Sequence, residues 1–174
     1  MTFEAGHAAD DARLVADARR GDQGAFASLY DRYARFIHGV LLARVPREDV
    51  EDLVQDVFLS AWHRLEALRD PAAFGGWLST IARNRATDFH RSAVPSIELP
   101  DDLTAHDGSA AQVEAIGILK IIQQLPEAYR ETLVLRLVEG MTGPEIAVRT
   151  GLTPASVRVN LHRGMKLLRE KIDR

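Results

Sequence analysis

From Gly143 to Gly164 the chain reads GPEIAVRTGLTPASVRVNLHRG, a stretch that leaves little choice of local fold. Glu145, Ile146 and Ala147 open a short helix, and Gly151 is free to take the positive φ of a tight turn. Thr153 then supplies an N-cap and Pro154 the first helical position, so a second helix is predicted to start at Pro154. Ala147 is small where two helices must approach, and Val157 is placed to pack back on the first of them. The spacing small, Gly, apolar is that of a DNA-binding helix-turn-helix. Past the turn, Arg158, Asn160, His162, Arg163 and Lys166 alternate with the apolar Val157, Leu161 and Leu168, so one side can pack while another meets an acidic groove. The plainer alternative is a basic, solvated helix in a small bundle.

The rest of the chain carries the same helical period. Leu14, Val15, Phe26, Leu29, Tyr30, Tyr33, Phe36, Ile37, Val40 and Leu41 fall at helical intervals between Asp11 and Val45, broken at Gly21-Asp22, which predicts two helices. After Pro46, an amphipathic helix is marked by Val50, Leu53, Val54, Val57, Phe58, Ala61, Trp62 and Leu65. Its other face carries Glu48, Asp49, Glu51, Asp52 and Asp56. The carboxylates nearest its start favour the helix dipole and need no functional reason; Asp56 lies deeper. A turn at Asp70-Pro71 leads to a helix with Phe74, Trp77, Leu78, Ile81 and Phe89 on one side and Arg83, Asn84, Arg85, Asp88 and Arg91 on the other. Residues 92–110 hold two prolines, a glycine and four acids without a period, the composition of a flexible linker. Val113, Ile116, Leu119, Ile122 and Leu125 mark the next helix, and Pro126 begins another that ends at Gly140. No run alternates with period two for long enough to make a strand. The expected fold is all-α: two small helical domains, 11–91 and 111–174, joined by a flexible acidic linker at 92–110 and preceded by a disordered segment, 1–10.

The net charge of −3 over 174 residues argues against a nucleic-acid partner until its distribution is considered. From Arg149 to Arg174 seven basic residues face only Glu170 and Asp173, a local phosphate footprint on an otherwise acidic protein. The absence of cysteine excludes a disulfide framework, a thiolate nucleophile and Cys-based zinc sites, and is compatible with a reducing cytoplasm. The acidic N-terminus has no apolar leader core, and no apolar run approaches the roughly 20 residues of a membrane span.

Taken together, five blocks resemble the extracytoplasmic-function, or group 4, sigma factors of the sigma-70 family of bacterial RNA polymerase. They are GDQGAFASLYDRY (Gly21 to Tyr33), EDLVQDVFLSAW (Glu51 to Trp62), FGGWLSTIARNRATDF (Phe74 to Phe89), LPEAYRETLVLRLVEGMTGPEIA (Leu125 to Ala147) and SVRVNLHRG (Ser156 to Gly164). They stand in the family's order with an acidic linker in the family's place. The resemblance implies a sigma2-like bundle, a sigma4-like helix-turn-helix domain and a promoter-specificity subunit that binds core RNA polymerase, recognises minus 35 and minus 10 elements and promotes strand opening. It implies no cofactor, no metal and no catalysis by the chain itself, a cytoplasmic location without membrane insertion, and as partners the β′ clamp helices and the β subunit of core polymerase, promoter DNA and an anti-sigma factor.

By position, the resemblance assigns Asp52, Leu53, Gln55 and Asp56 to the contact with the polymerase clamp, where a partly apolar acidic face suits a basic coiled coil. It assigns Arg64, Leu68 and Asn84 to a pocket for an unpaired base of the minus 10 element, with Arg83, Arg85 and Arg91 neutralising phosphate nearby. Leu68 stands where relatives often carry an aromatic. Phe74 and Trp77, at helical spacing, favour the core over base contact. Ser156, Arg158, Val159, His162, Arg163 and Lys166 align with the helix that faces the minus 35 element. There Arg158 or Arg163 suits guanine, and Lys166 the backbone. Asn160 replaces a frequently basic residue, and Gly164 stands where alanine is common, at a cost of about 1 kcal/mol in helix propensity. The acids Glu98, Asp101, Asp102 and Asp107 of the linker suit a basic channel or a solvated tether equally.

Two other readings compete. A polymerase-independent helix-turn-helix regulator leaves the acidic third helix unexplained and commonly dimerises to read two half-sites. An all-helical protein-interaction adaptor uses the basic C-terminus only for an acidic partner. An enzyme is the weakest reading, because the six histidines form no close metal-ligand pair and the carboxylates cluster where the helix dipole and a partner surface explain them.

Overall fold

A computed structural model describes residues 2–92 and 110–173. Eight helices are found among them: α1 (Thr2–Arg19), α2 (Gln23–Leu42), α3 (Val50–His63), α4 (Phe74–Ser92), α5 (Ala110–Gln123), α6 (Glu127–Leu137), α7 (Gly143–Thr150) and α8 (Pro154–Ile172). Short 3-10 turns at Arg47–Asp49, Leu65–Ala67 and Pro71–Ala73 complete the connections, and no strand occurs among the described residues. The linker and its four acids lie outside the described residues. Residues 2–10 are helical where disorder is expected. Ala5, Ala8 and Ala9 have high helix propensity but create no apolar stripe, so periodicity is silent there.

Helix α1 stops at Gly21, whose φ of +92° lies where side-chain-bearing residues are strained. The Asp22 carboxylate then accepts a 3.1 Å hydrogen bond from the Ala25 N–H and starts α2. Along α2 the residues Leu29, Tyr33, Phe36, Ile37, Val40 and Leu41 are buried at helical spacing against Val15 of α1, Val54 and Val57 of α3, and Phe74 and Leu78 of α4. Each such side chain contributes about 1.5–3 kcal/mol by leaving water. Edge-to-face rings tie the bundle together: Phe26 to Trp62 at 4.8 Å and Tyr33 to Phe74 at 5.3 Å between centroids. Asp11, buried beside them, accepts from the Tyr33 hydroxyl and from Arg32 at 2.5 Å. Burial, reinforced by the Asp11 carboxylate, pushes the Tyr33 phenol far up, so it stays a donor.

The C-terminal helices enclose Ile122, Leu125, Leu133, Leu135, Ile146, Ala147, Val157 and Leu168. Helix α7 is held by a reciprocal capping box: the Glu145 N–H donates to Thr142 Oγ1 at 3.4 Å, and the Thr142 N–H donates to Glu145 Oε2 at 2.7 Å. Gly151 takes φ +74° and Thr153 accepts from the Ser156 N–H at 3.1 Å, so the turn and the start of α8 follow the chemistry expected of them.

The two halves pack on each other, α6 on α2 and α7 on α4. Gly39 permits the approach: a Cβ there would lie 2.7 Å from Leu135 Cδ2 and 2.8 Å from Glu139 Cγ. At the end of α2, the Gln123 amide donates to the Leu42 and Val45 carbonyls at 2.7 and 3.1 Å, satisfying acceptors that a helix terminus leaves open. The Arg149 guanidinium sits 4.2 Å from the centre of the Tyr33 ring, a cation–π contact between α7 and α2.

Candidate nucleic-acid interface

Helix α8 divides cleanly into two sides. Val157, Gly164 and Leu168 are buried, while Ser156, Arg158, Val159, His162, Arg163 and Lys166 are all exposed. The exposed set runs along more than two turns and combines three cations with Val159, which is 44% exposed, the mixture that a major groove of phosphates and thymine methyls accepts. Among the described residues, only Lys166 of these cations has a carboxylate at hand, Glu170 at 4.0 Å and exposed, which solvent screens. His162 and Lys166 also line an open cleft of about 630 Å³ between α6 and α8, together with Leu137, Leu161 and Met165. Asn160 is half-buried at the edge of the face.

Gly164 has a role that helix propensity does not show. A Cβ at this position would lie 3.0 Å from Leu133 Cδ1 and 3.2 Å from Tyr129 Cβ, so the bare backbone sets how closely α8 approaches α6.

On α3, Asp52, Gln55 and Asp56 are exposed, whereas Leu53 is half-buried and packs against the core. Leu59, not singled out from the sequence, is 56% exposed and lies three and four residues beyond Asp56 and Gln55 on the same face. The result is an acidic face with an exposed leucine at its C-terminal end. The signal for Leu59 was present in the spacing, but an isolated leucine in an apolar-rich helix reads as core.

The minus 10 candidates are dispersed. Arg64 lies exposed at the end of α3, and Asn84, Arg85 and Arg91 are exposed on α4, with Arg91 3.4 Å from Asp88. Leu68 is buried in this packing, 5% exposed, and its carbonyl is held by Arg19. It sits in a β-like backbone conformation between two 3-10 turns. Phe74 is fully buried and Trp77 half-buried, as their helical spacing favoured.

Arg83 is engaged within the chain. Its Nη2 donates to Glu131 Oε1 at 2.8 Å and its Nε to Glu131 Oε2 at 3.3 Å, while Arg44 Nη2 lies 2.5 Å from the same Oε2 and 2.6 Å from Glu127. Glu131 thus receives two guanidiniums, one from the turn after α2 and one from α4, across the junction of the two halves. Burial alone pushes the Glu131 carboxyl up, but the Arg83 and Arg44 guanidiniums more than offset it and hold the group below the usual carboxylate range. Nearby, His38 Nδ1 is 2.6 Å from Glu139 and its Nε2 is 3.7 Å from Glu51. The Glu139 hydrogen bond raises the His38 imidazole above its ordinary value despite burial. None of these partners is near its mate in sequence, so no local spacing pointed to Glu131, Arg44, His38 or Glu139.

Comparison with known proteins follows the same division. The family model for sigma-70 region 2 matches residues 29–94, and that for sigma-70 region 4 matches residues 116–168. The RNA polymerase sigma factor CarQ of Myxococcus xanthus is 37% identical over 161 residues, covering 87% of this chain and 91% of that protein. The RNA polymerase sigma factor CnrH of Cupriavidus metallidurans is 30% identical over 185 residues, 94% of each chain. The solved structure of CnrH in complex with the cytosolic domain of CnrY is similar over 94% of this chain and 97% of that one, with a TM-score of 0.65 and 29% identity. With the two region models in order on the two helical halves and such relatives matched over nearly their full length, the chain belongs to the extracytoplasmic-function group of the sigma-70 family of RNA polymerase sigma factors.

Proposed function

We propose that this sigma factor docks on core polymerase through the α3 face, with Asp52, Gln55, Asp56 and the edge of Leu53 on the β′ clamp helices, and reads the minus 35 element with α8. In this reading residues 11–91 form the polymerase and minus 10 module, residues 111–174 the minus 35 module and residues 92–110 the tether between them. Ser156, Arg158, Val159, His162, Arg163 and Lys166 meet the major groove; Arg64, Asn84, Arg85 and Arg91, joined by Arg83 when it is free, meet the minus 10 region. Strand opening comes from capture of the unpaired strand, and bond chemistry belongs to the polymerase. The single observation that carries the reading is the coexistence, on one chain, of an uncovered acidic-apolar face on α3 and an uncovered cationic face on α8. A lone regulator has no use for the first, and an adaptor no use for the second.

A cytoplasmic location suits a polymerase subunit, and no helix among the described residues is long and apolar enough to cross a membrane. The β subunit is the second polymerase partner in this reading; Leu137 and Val138, 48% and 49% exposed beside the α6–α8 cleft, support a protein contact on that side. An anti-sigma factor is proposed by analogy with CnrH, whose solved structure is a complex with the cytosolic domain of CnrY.

The test is run-off transcription with purified core polymerase on a pool of genomic promoters, comparing the wild type with an Asp52→Arg/Asp56→Arg variant. Discrete start sites with the wild type and none with the variant are expected. Failure of the wild type to add start sites while it still binds DNA would return the chain to the polymerase-independent regulator.

A further inference from the structure

The junction between the two halves contains a charged cluster of which the proposed function uses Arg83 alone, leaving Arg44 and Glu131 unexplained. Arg44, in the turn that follows α2, and Arg83, on α4, converge from the N-terminal half on one carboxylate, Glu131, which the C-terminal half inserts between them. The Arg44 side chain is only 7% exposed and that of Glu131 only 10%. Two guanidiniums directed at one anion are a recognition device for carboxylate and phosphate alike, because both present oxygens that paired N–H donors can engage. Arg83, moreover, shares α4 with the exposed Asn84, Arg85 and Arg91, a helix that carries polar and cationic groups toward nucleic acid.

The closed packing also conflicts with simultaneous reading of two promoter elements. A compact chain of this length has a radius of gyration of about 16 Å, hence a diameter of about 40 Å. Elements whose names place them about 25 base pairs apart lie about 85 Å apart along B-form duplex, at about 3.4 Å per pair. The halves must separate to reach both. Separation withdraws Glu131 and leaves Arg44 and Arg83 facing solvent without their anion, a state that a backbone phosphate relieves.

We propose that Arg44 and Arg83 form a phosphate-binding site for promoter DNA that Glu131 occupies in cis, so that the closed chain masks its own DNA contact and opening exchanges the carboxylate for a phosphate. This rests on the two-domain promoter-binding reading above. Other contacts across the junction reinforce the closed state: Gly39 against Leu135, Arg149 on Tyr33, and two further carboxylates of the C-terminal half, Glu139 on His38 and the more exposed Glu127 on Arg44, the latter leaving with Glu131 when the halves part.

The chain has no cysteine, so Ala27→Cys and Glu170→Cys, both at exposed positions, accept a fluorophore pair in the full-length protein. Energy transfer reads closure, and anisotropy with a mixed-sequence fluorescent DNA, without polymerase, reads phosphate binding. Glu131→Gln is expected to lower energy transfer and tighten DNA binding by about tenfold or more, because a charge is removed from two cations. Arg44→Gln/Arg83→Gln is expected to lower energy transfer with no gain in DNA binding. Gly39→Leu, a wedge that keeps every charge and favours helix, opens the junction by steric means and is expected to tighten DNA binding as Glu131→Gln does; it stands in if Glu131→Gln melts early by circular dichroism. Opening by Glu131→Gln or Gly39→Leu without tighter DNA binding overturns the phosphate site, and unchanged energy transfer in all three variants overturns the masking contact. Neither result touches the run-off experiment, whose failure would sink the sigma reading independently.

Discussion

Replacing Gly164 by alanine sets two effects of similar size against each other. Helix propensity favours alanine by about 0.8–1 kcal/mol in a helix interior. Against it, the new methyl would lie 3.0 Å from Leu133 Cδ1, 3.1 Å from Leu133 Cγ and 3.2 Å from Tyr129 Cβ. Leu133 is fully buried and cannot swing aside into solvent, and a Cβ atom moves only with its backbone. Over-packing of this kind costs about 1–3 kcal/mol. The difference is a net loss of about 1 kcal/mol, or a fall of about 2–4 °C in the midpoint for a chain of this size. Urea unfolding followed by circular dichroism measures it, with the slope checked for constancy so that the midpoint shift reads stability. A two-step cycle sharpens the result. Leu133→Ala alone costs about 2–5 kcal/mol, but in that background Gly164→Ala gains room and is expected to turn neutral or stabilising, giving a coupling of about 1 kcal/mol or more. A Gly164→Ala protein more stable than the wild type, with no coupling to Leu133, would refute close approach of α8 to α6 as the reason for glycine.

Other expectations follow from the same contacts. Glu139 raises His38, reinforced by Glu51 and opposed by Arg47 and burial, so the protonated imidazole favours the closed state. That contribution is full below the ordinary value of 6.5 and is lost as pH rises through the raised one. Energy transfer between the two halves is therefore expected to fall on titrating above about pH 6.5, and His38→Gln to flatten the curve. Thr142→Ala removes the Thr side of the capping box and is expected to cost about 1 kcal/mol, with Thr142→Ser retaining most of it in the same urea assay. In complexes with core polymerase, Lys166→Ala is expected to weaken all promoters alike and to reduce the salt slope by about one unit. Arg158→Ala is expected instead to cost about 1–3 kcal/mol mainly on promoters with guanine at its contact position; a sequence-independent loss would reassign it to phosphate.

Helix α7, the turn and α8 were legible almost residue by residue, because Gly151, Thr153, Pro154 and Glu145 act on their own neighbours within a few positions. The buried stripes of α2, α3 and α4 were legible for the same reason. The start of α1 was not, since alanines stabilise a helix without marking a face. The burial of Leu68 was not legible, because resemblance carries a position's role but not the local backbone, and here the residue lies between two 3-10 turns. Gly164 looked like a departure from the family until its neighbour Leu133 was known. The junction was invisible altogether: His38 and Glu139 are 101 residues apart, Arg83 and Glu131 48, and Glu131, between Arg130 and Thr132 and one turn after Glu127, reads as part of a solvated polar face. Periodicity records which face of a helix is apolar, whereas an ion pair between halves depends on docking that no single helix encodes.

The edge-to-face pairing of Phe26 and Trp62 has a spectroscopic counterpart. The protein has two tryptophans, Trp62 and Trp77, and both belong to the α1–α4 bundle, one against Phe26 and the other beside Phe74. Intrinsic indole emission is therefore blind to the C-terminal half, while far-ultraviolet dichroism weighs every helix of both. Denaturation followed by the two signals distinguishes halves that melt as one cooperative unit from halves that melt in sequence, with no label and no substitution.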